Sequence, residues 1–199
     1  MLDRTIPFYN TILKCSAYKC RDVELPDDFI IVPYRYGYEK EWAKLECSVG
    51  DFGSAEEAEI YFAENYLRDP QLFPNILFVL NKDNDIAGSC IAWHDMRRSD
   101  SVSSLHWLVV RQRYRGIGLG RALCIAVMNI YAQSGAFPVY IHTQPWSWKA
   151  ILLYASLGFK LQKTDTFSHY ENEYAKAMTE LKRILSEDQY ELLRHSSED

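Results

Sequence analysis

The chain has 199 residues, 48% of them apolar, and 22 Lys and Arg against 27 Asp and Glu, for a net charge of −5. That length and apolar content suffice for one sizeable core, and about 150 residues per domain argues for a single domain, 1–199, with extensions. An acidic balance without a basic and aromatic patch argues against nucleic-acid binding, and no apolar stretch reaches the roughly 20 residues that cross a bilayer. Five cysteines (Cys15, Cys20, Cys47, Cys90 and Cys124) form no Cys-x-x-Cys pair, and no His, Cys and Asp cluster has metal-ligand spacing. Free thiols, no metal and a soluble cytoplasmic protein are therefore expected.

In chain order, Phe29 to Tyr34 reads as the first strand and Glu39 to Cys47 as a short helix. Ser54-Ala55-Glu56-Glu57 has the form of a capping box opening a helix with the apolar stripe Ala58, Tyr61, Phe62 and Tyr66. Ile76 to Leu80 and Ile86 to His94 flank the polar turn cluster Asn81 to Asp85, which predicts an antiparallel hairpin. A strand over Ser103 to Val110 leads into a helix from Leu119 to Ser134 that Gly135 stops. Then come a strand over Val139 to Thr143, a helix over Ala150 to Leu157, a strand from Phe159 and a last helix from about Asn172 to Leu185.

The junction at Arg111 to Arg121 carries the strongest signal. Gly116, Gly118 and Gly120 alternate where a strand meets a helix, with Arg111, Arg113, Arg115 and Arg121 around them. At a helix N-terminus the unpaired N–H groups and the positive end of the dipole favour an anion, and glycine admits a phosphate close to the backbone. A dinucleotide fingerprint would need glycine at Arg121, and a Walker loop would need a closing Gly-Lys-Ser/Thr.

Arg115-Gly116-Ile117-Gly118-Leu119-Gly120 closely resembles the pyrophosphate-binding motif of the GCN5-related N-acetyltransferase (GNAT) superfamily. A second element of that superfamily is similar to Leu153-Tyr154-Ala155-Ser156-Leu157-Gly158-Phe159, which follows the strand Val139 to Thr143. The resemblance runs from about Phe29 to Lys163, leaving residues 164–195 as a C-terminal helical extension. It implies an α/β (α+β) acyl-CoA N-acyltransferase fold, in which a mixed, mostly antiparallel sheet of about six or seven strands is flanked by helices. It also implies acetyl-CoA as co-substrate, held by Leu108, Val109, Val110, Arg115, Gly116, Ile117, Gly118, Leu119, Gly120, Arg121, Ser147 and Tyr154.

The same resemblance makes Tyr154 the proton donor to the leaving thiolate and His106 a member of the proton path, with His94 and His142 as weaker candidates. Ser147 stands where the family often has Asn, and its hydroxyl is expected to cap the following helix. A backbone N–H near Leu108 is the expected donor to the developing oxyanion. From Glu39 to Asp69 there are nine acidic residues against three basic ones. Glu56, Glu57, Glu59 and Glu64 read as a solvated face, whereas Glu46 is a candidate base acting through water, and Glu46 and Asp51 would draw a cationic amine. Trp42, Trp93, Trp146 and Trp148 are candidate pocket walls. The expectation is thus an N-acetyltransferase acting on a small-molecule amine, without nucleic acid or membrane and compatible with a homodimer. A protein or peptide acceptor, or a non-catalytic acyl-CoA-binding regulatory module, is the alternative.

Overall fold

The computed structural model describes residues 3–199. The described elements are β1 (Thr11–Cys15), β2 (Phe29–Pro33), α1 (Tyr38–Val49), α2 (Ala55–Tyr66), β3 (Ile76–Asn81), β4 (Ile86–Arg97), β5 (Asp100–Val110), α3 (Leu119–Ser134), β6 (Val139–Thr143), α4 (Trp148–Ser156), β7 (Lys160–Leu161), α5 (Tyr174–Ile184) and α6 (Glu187–Ser196). The seven strands form a mixed sheet in the order β2-β3-β4-β5-β6-β1-β7. β5 and β6 are parallel, while β2–β3, β3–β4, β1–β6 and β1–β7 are antiparallel. This is the mixed, mostly antiparallel, helix-flanked sheet expected from the sequence. Among the described residues the chain forms two compact units, one of Cys20–Trp93 with Leu105–Ile130, the other of residues 3–19 with His94–Ser104 and Tyr131–Asp199.

In the first unit the apolar stripes of α1 and α2 bury Trp42, Leu45, Ala58, Phe62 and Tyr66 together with Phe78 of β3 and Ile91 of β4. The Asn81 side chain closes the β3–β4 turn by accepting the N–H groups of Asp83 and Asp85. Ser54 caps α2 by accepting the Glu57 N–H, but the Glu57 carboxylate reaches back to the Gly53 N–H, one residue beyond the Ser54 N–H of a reciprocal capping box. Gly88 is obligatory for a different reason: a Cβ there would lie 2.5 Å from the Val109 carbonyl oxygen.

In the second unit β1 pairs with both β6 and β7. β1 was not expected from the sequence, because all five of its residues are buried or nearly so and the strand shows no alternation of apolar and polar side chains. Asp100, Ser101 and Val102 also extend β5 beyond the expected start at Ser103, and β4 runs on to Arg97. Here hairpin pairing outweighs composition, with Arg98 at φ 56° in the turn. Helix α6 was missed as well, although Ser186 and Gln189 form a complete capping box at its start. Gly158 ends α4 at φ 100°, with the Phe159 N–H donating to the Tyr154 carbonyl and the Gly158 N–H to that of Ala155, as the sequence position predicted.

Asp165 ties this unit together by accepting hydrogen bonds from Arg97 (2.7 Å), the Tyr140 hydroxyl (2.8 Å) and Lys14 (3.3 Å). Burial pushes its carboxyl up, but the bonds from Arg97, Tyr140 and Lys14 outweigh that and hold it below the usual range. The Tyr140 hydroxyl is pushed up to about 12 by burial and by Asp165. Asp165→Asn should therefore cost roughly 2 kcal/mol at neutral pH. Because its folded-state value is depressed, the carboxylate stabilises above its unfolded value, and that contribution is lost as pH falls through the folded one. Urea unfolding at pH 7 and pH 3 checks both, the variant losing less than the parent on acidification.

Candidate active site

The glycine turn of the first unit leaves β5 at Val110. Arg111 donates its N–H to the Ala87 carbonyl and pairs with Glu41 at 2.9 Å, and Arg115 Nε donates to the Val110 carbonyl, so the start of the turn is anchored to the sheet and to α1. Gly116 and Gly118 adopt φ 86° and 97°, and nothing lies within 4 Å of where a Cβ would sit on either. Ile117 is exposed, Leu119 is buried beneath the turn and Gly120 is half-buried. The first helical bond described runs from the Ala122 N–H to the Gly118 carbonyl. In any α-helix the first N–H groups precede the i−4 ladder and point out of the N-terminus. Positive φ, open space and N–H groups at a helix N-terminus together form a cradle that suits a diphosphate. Of the surrounding arginines, Arg113 pairs with Asp85 at 3.2 Å, and Arg113, Arg115 and Arg121 are all exposed.

Upstream on β5, Leu108 and Val110 are half-buried and Val109 is buried. His106 is half-buried with its ring 6.2 Å from that of Trp93. Between His106 and Leu108, Trp107 adopts φ 51°, a left-handed conformation that is rare for a bulky residue in a strand. Its indole N–H donates to the Tyr66 hydroxyl at 2.7 Å, and its ring packs on Trp42, Phe52 and Tyr61. Nothing in the sequence marks Trp107 as special, and Tyr66 reads there simply as part of an apolar stripe.

Glu46, on the inner face of α1, is 1% exposed. Burial, reinforced by the Asp51 charge, pushes its carboxyl well above the usual carboxylate range. Its Oε1 has no hydrogen-bond partner among the described residues, and neither does Nε1 of Trp42, one turn earlier on the same helix. Trp42 is fully buried, which makes it core rather than pocket wall, while Trp93 is half-buried against Tyr66. Of the acids expected to be solvated, Glu56, Glu57 and Glu64 are exposed and Glu59 is half-buried.

In the second unit, Ser147 precedes α4 but does not cap it, contrary to expectation. Its Oγ instead accepts the Gln144 side-chain amide at 3.0 Å, because φ −92° and ψ 25° depart from the extended backbone of a capping residue. Tyr154 is 5% exposed on the buried face of α4, its ring 6.0 Å from Phe159. Trp146 lies between the Phe8 ring and the Arg4 guanidinium, and Lys149 stands over Trp148. His142 stacks on Tyr170 with ring centroids 3.6 Å apart, and its Nε2 lies 2.8 Å from the accepting Asn10 Oδ1. His94 is exposed. No helix of the described residues is long and apolar enough to cross a membrane.

The family model described as Acetyltransferase (GNAT) family matches residues 38–159. An uncharacterized N-acetyltransferase of Mycobacterium tuberculosis is 30% identical over 129 residues, covering 63% of this chain and 78% of its own. Among solved structures, a GCN5-related N-acetyltransferase from Sphaerobacter thermophilus is 20% identical with a TM-score of 0.57, covering 79% of this chain but 51% of its own. The chain thus spans about half the length of that protein. Glucosamine-6-phosphate N-acetyltransferase from Arabidopsis thaliana is 19% identical with a TM-score of 0.54, over 71% of this chain and 97% of its own. At such identities the two structures establish a shared fold.

Glu46 yields a prediction that does not depend on catalysis. A carboxyl whose folded-state value is raised stays protonated in the folded protein while the unfolded chain releases its proton. Stability therefore falls as pH rises from the ordinary carboxylate value towards the folded one. Glu46→Gln should remove that slope and raise the melting temperature at pH 7, with little change at pH 4, as thermal unfolding across that range would show.

Proposed function

Because the chain belongs to the GNAT family of acetyltransferases, we propose that it moves an acetyl group from acetyl-CoA to the primary amine of a small molecule. Transfer is by direct attack within a ternary complex. The observation that carries this reading is the glycine cradle at the start of α3, where positive φ and open space coincide with first-turn N–H groups. Gly116, Ile117, Gly118, Leu119 and Gly120 would hold the diphosphate through their backbone, with charge from Arg115 and Arg121. The backbone of Leu108, Val109 and Val110 and the Ser147 hydroxyl would hold the pantetheine arm. When bound, acetyl-CoA supplies an acetyl thioester.

The chain's own residues have three tasks. An alkylammonium titrates near 10.4, so the acceptor must lose a proton before it attacks. We assign that proton to His106, and to Glu46 through water where the raised carboxyl can still ionise. The Leu108 N–H donates to the carbonyl oxygen as charge develops there. The Tyr154 hydroxyl gives a proton to the departing sulfur. No covalent enzyme intermediate is needed, and buried Cys90 and Cys124 play no part in the transfer. Asp51, exposed on the α1–α2 loop, favours a cationic acceptor.

Acetyl-CoA at a hundred times its Kd should stabilise the protein by about 2.7 kcal/mol, a melting shift of roughly 5 to 10 °C for a chain of this size. Gly118→Val should abolish most of that shift. No shift in the parent protein would refute the coenzyme assignment.

Turnover is tested by free-thiol release from acetyl-CoA across a panel of small amines and peptides. Tyr154→Phe should lower kcat roughly a hundredfold with KM for acetyl-CoA nearly unchanged, whereas His106→Gln should move the acidic limb of the pH profile upward. Asp51→Lys should raise KM for the amine and not for acetyl-CoA. Peptides outperforming every small amine would overturn the acceptor class.

A further inference from the structure

We propose that Tyr66 is a positioning residue for the acetyl-transfer step, holding the Trp107–Leu108 peptide in the orientation that aims the Leu108 N–H at the thioester carbonyl. This rests on the reading of Leu108 as the oxyanion donor, and it concerns groups of the first unit alone. A residue at positive φ interrupts the regular turn-about of peptide groups along a strand. Trp107 does so at φ 51° in the middle of β5, bearing one of the bulkiest side chains. Such a conformation is strained and persists only where the surroundings over-determine it.

The surroundings supply three restraints. The Trp107 indole N–H donates to the Tyr66 hydroxyl at 2.7 Å, a short bond between two side chains otherwise fixed by packing. Trp42, Phe52 and Tyr61 clasp the same indole with ring centroids 5.4–5.5 Å away. At the backbone, the Trp107 carbonyl accepts a long hydrogen bond, 3.5 Å, from the hydroxyl of Ser89, itself fully buried on β4. In a trans peptide the C=O of Trp107 and the N–H of Leu108 point in opposite directions, so a restraint on the carbonyl also aims the N–H. Tyr66 is 1% exposed and wedged against Phe62 and Trp93, which makes it a rigid anchor. Deleting its hydroxyl alone leaves the aromatic packing intact.

The experiment compares Tyr66→Phe with the parent in steady-state thiol release. The expected result is a fall in kcat of about tenfold, a fraction of the roughly hundredfold cost of deleting an oxyanion donor outright. KM for both substrates and the pH profile should stay in place, because neither binding nor proton transfer is touched. Trp107→Phe cuts the same bond from the other side and should give a similar fall. The double variant should be no slower than the worse single one, as expected for two ends of one restraint.

A lower melting temperature with unchanged kcat in Tyr66→Phe would overturn the proposal and leave the tyrosine as a core strut. Additive losses in the double variant would overturn it too. Should Tyr66→Phe fail to fold, Trp107→Phe carries the test alone on the same kcat criterion. Absence of thiol release by the parent protein with any amine would instead refute the acetyltransferase reading, so the two failures are distinguishable.

Discussion

Backbone amides can face a multiply charged ligand only if the chain enters a helix without side chains in the way, and that constraint organises the first unit. Gly116 and Gly118 meet it by adopting φ 86° and 97° over open space. An L-residue with a side chain would pay for the left-handed conformation and would fill the space as well. The turn can be this open because its flanks are fixed elsewhere. The Arg111 N–H is bonded to Ala87, the Arg111 side chain to Glu41, and Leu119 is buried at the start of α3. Gly88 extends the same logic to the sheet, since only a residue without a Cβ lets β4 approach the Val109 carbonyl so closely.

The two units treat buried carboxyls in opposite ways. Asp165 is surrounded by Arg97, Lys14 and the Tyr140 hydroxyl, and these donors outweigh its burial. Glu46 has the Asp51 charge nearby and an Oε1 without a hydrogen-bond partner among the described residues, and its carboxyl is driven upward. The first arrangement favours the fold. The second works against it at neutral pH, and a perturbed acid of that kind is a common mark of a functional position. Strain at Trp107 belongs in the same category: a locally unfavourable conformation that Tyr66 and the surrounding rings maintain.

Much of the architecture could be read from the order of residues. The α2 cap at Ser54, the Asn81 turn, the glycine stops at Gly135 and Gly158 and the strand-to-helix glycine run all depend on interactions within a few residues. Short-range geometry is written directly in short-range sequence, and so is the family resemblance that rests on two such motifs. Ser147 departs from its local reading, as the Glu57 side of the Ser54 capping box does. A competing bond from Gln144, three residues away, together with a non-extended backbone, removed the cap that its residue type suggested.

What the tertiary structure alone decided involves groups distant in sequence. β1 is recognisable only through its pairing with β6 and β7, because a strand covered on both faces carries no alternation to read. The Asp165 cluster joins Lys14, Arg97, Tyr140 and Asp165, and its three charged members look like ordinary surface residues until they meet. Likewise, burial rather than residue type turned Glu46 into a perturbed acid and Trp42 into core, and only packing could place a tryptophan at positive φ against Tyr66, 41 residues earlier in the chain. The sequence determined the fold class and the phosphate-type turn because those follow from local conformational preference. Burial, ionisation and strain depend on which distant groups exclude water from one another, and that is a property of the folded chain.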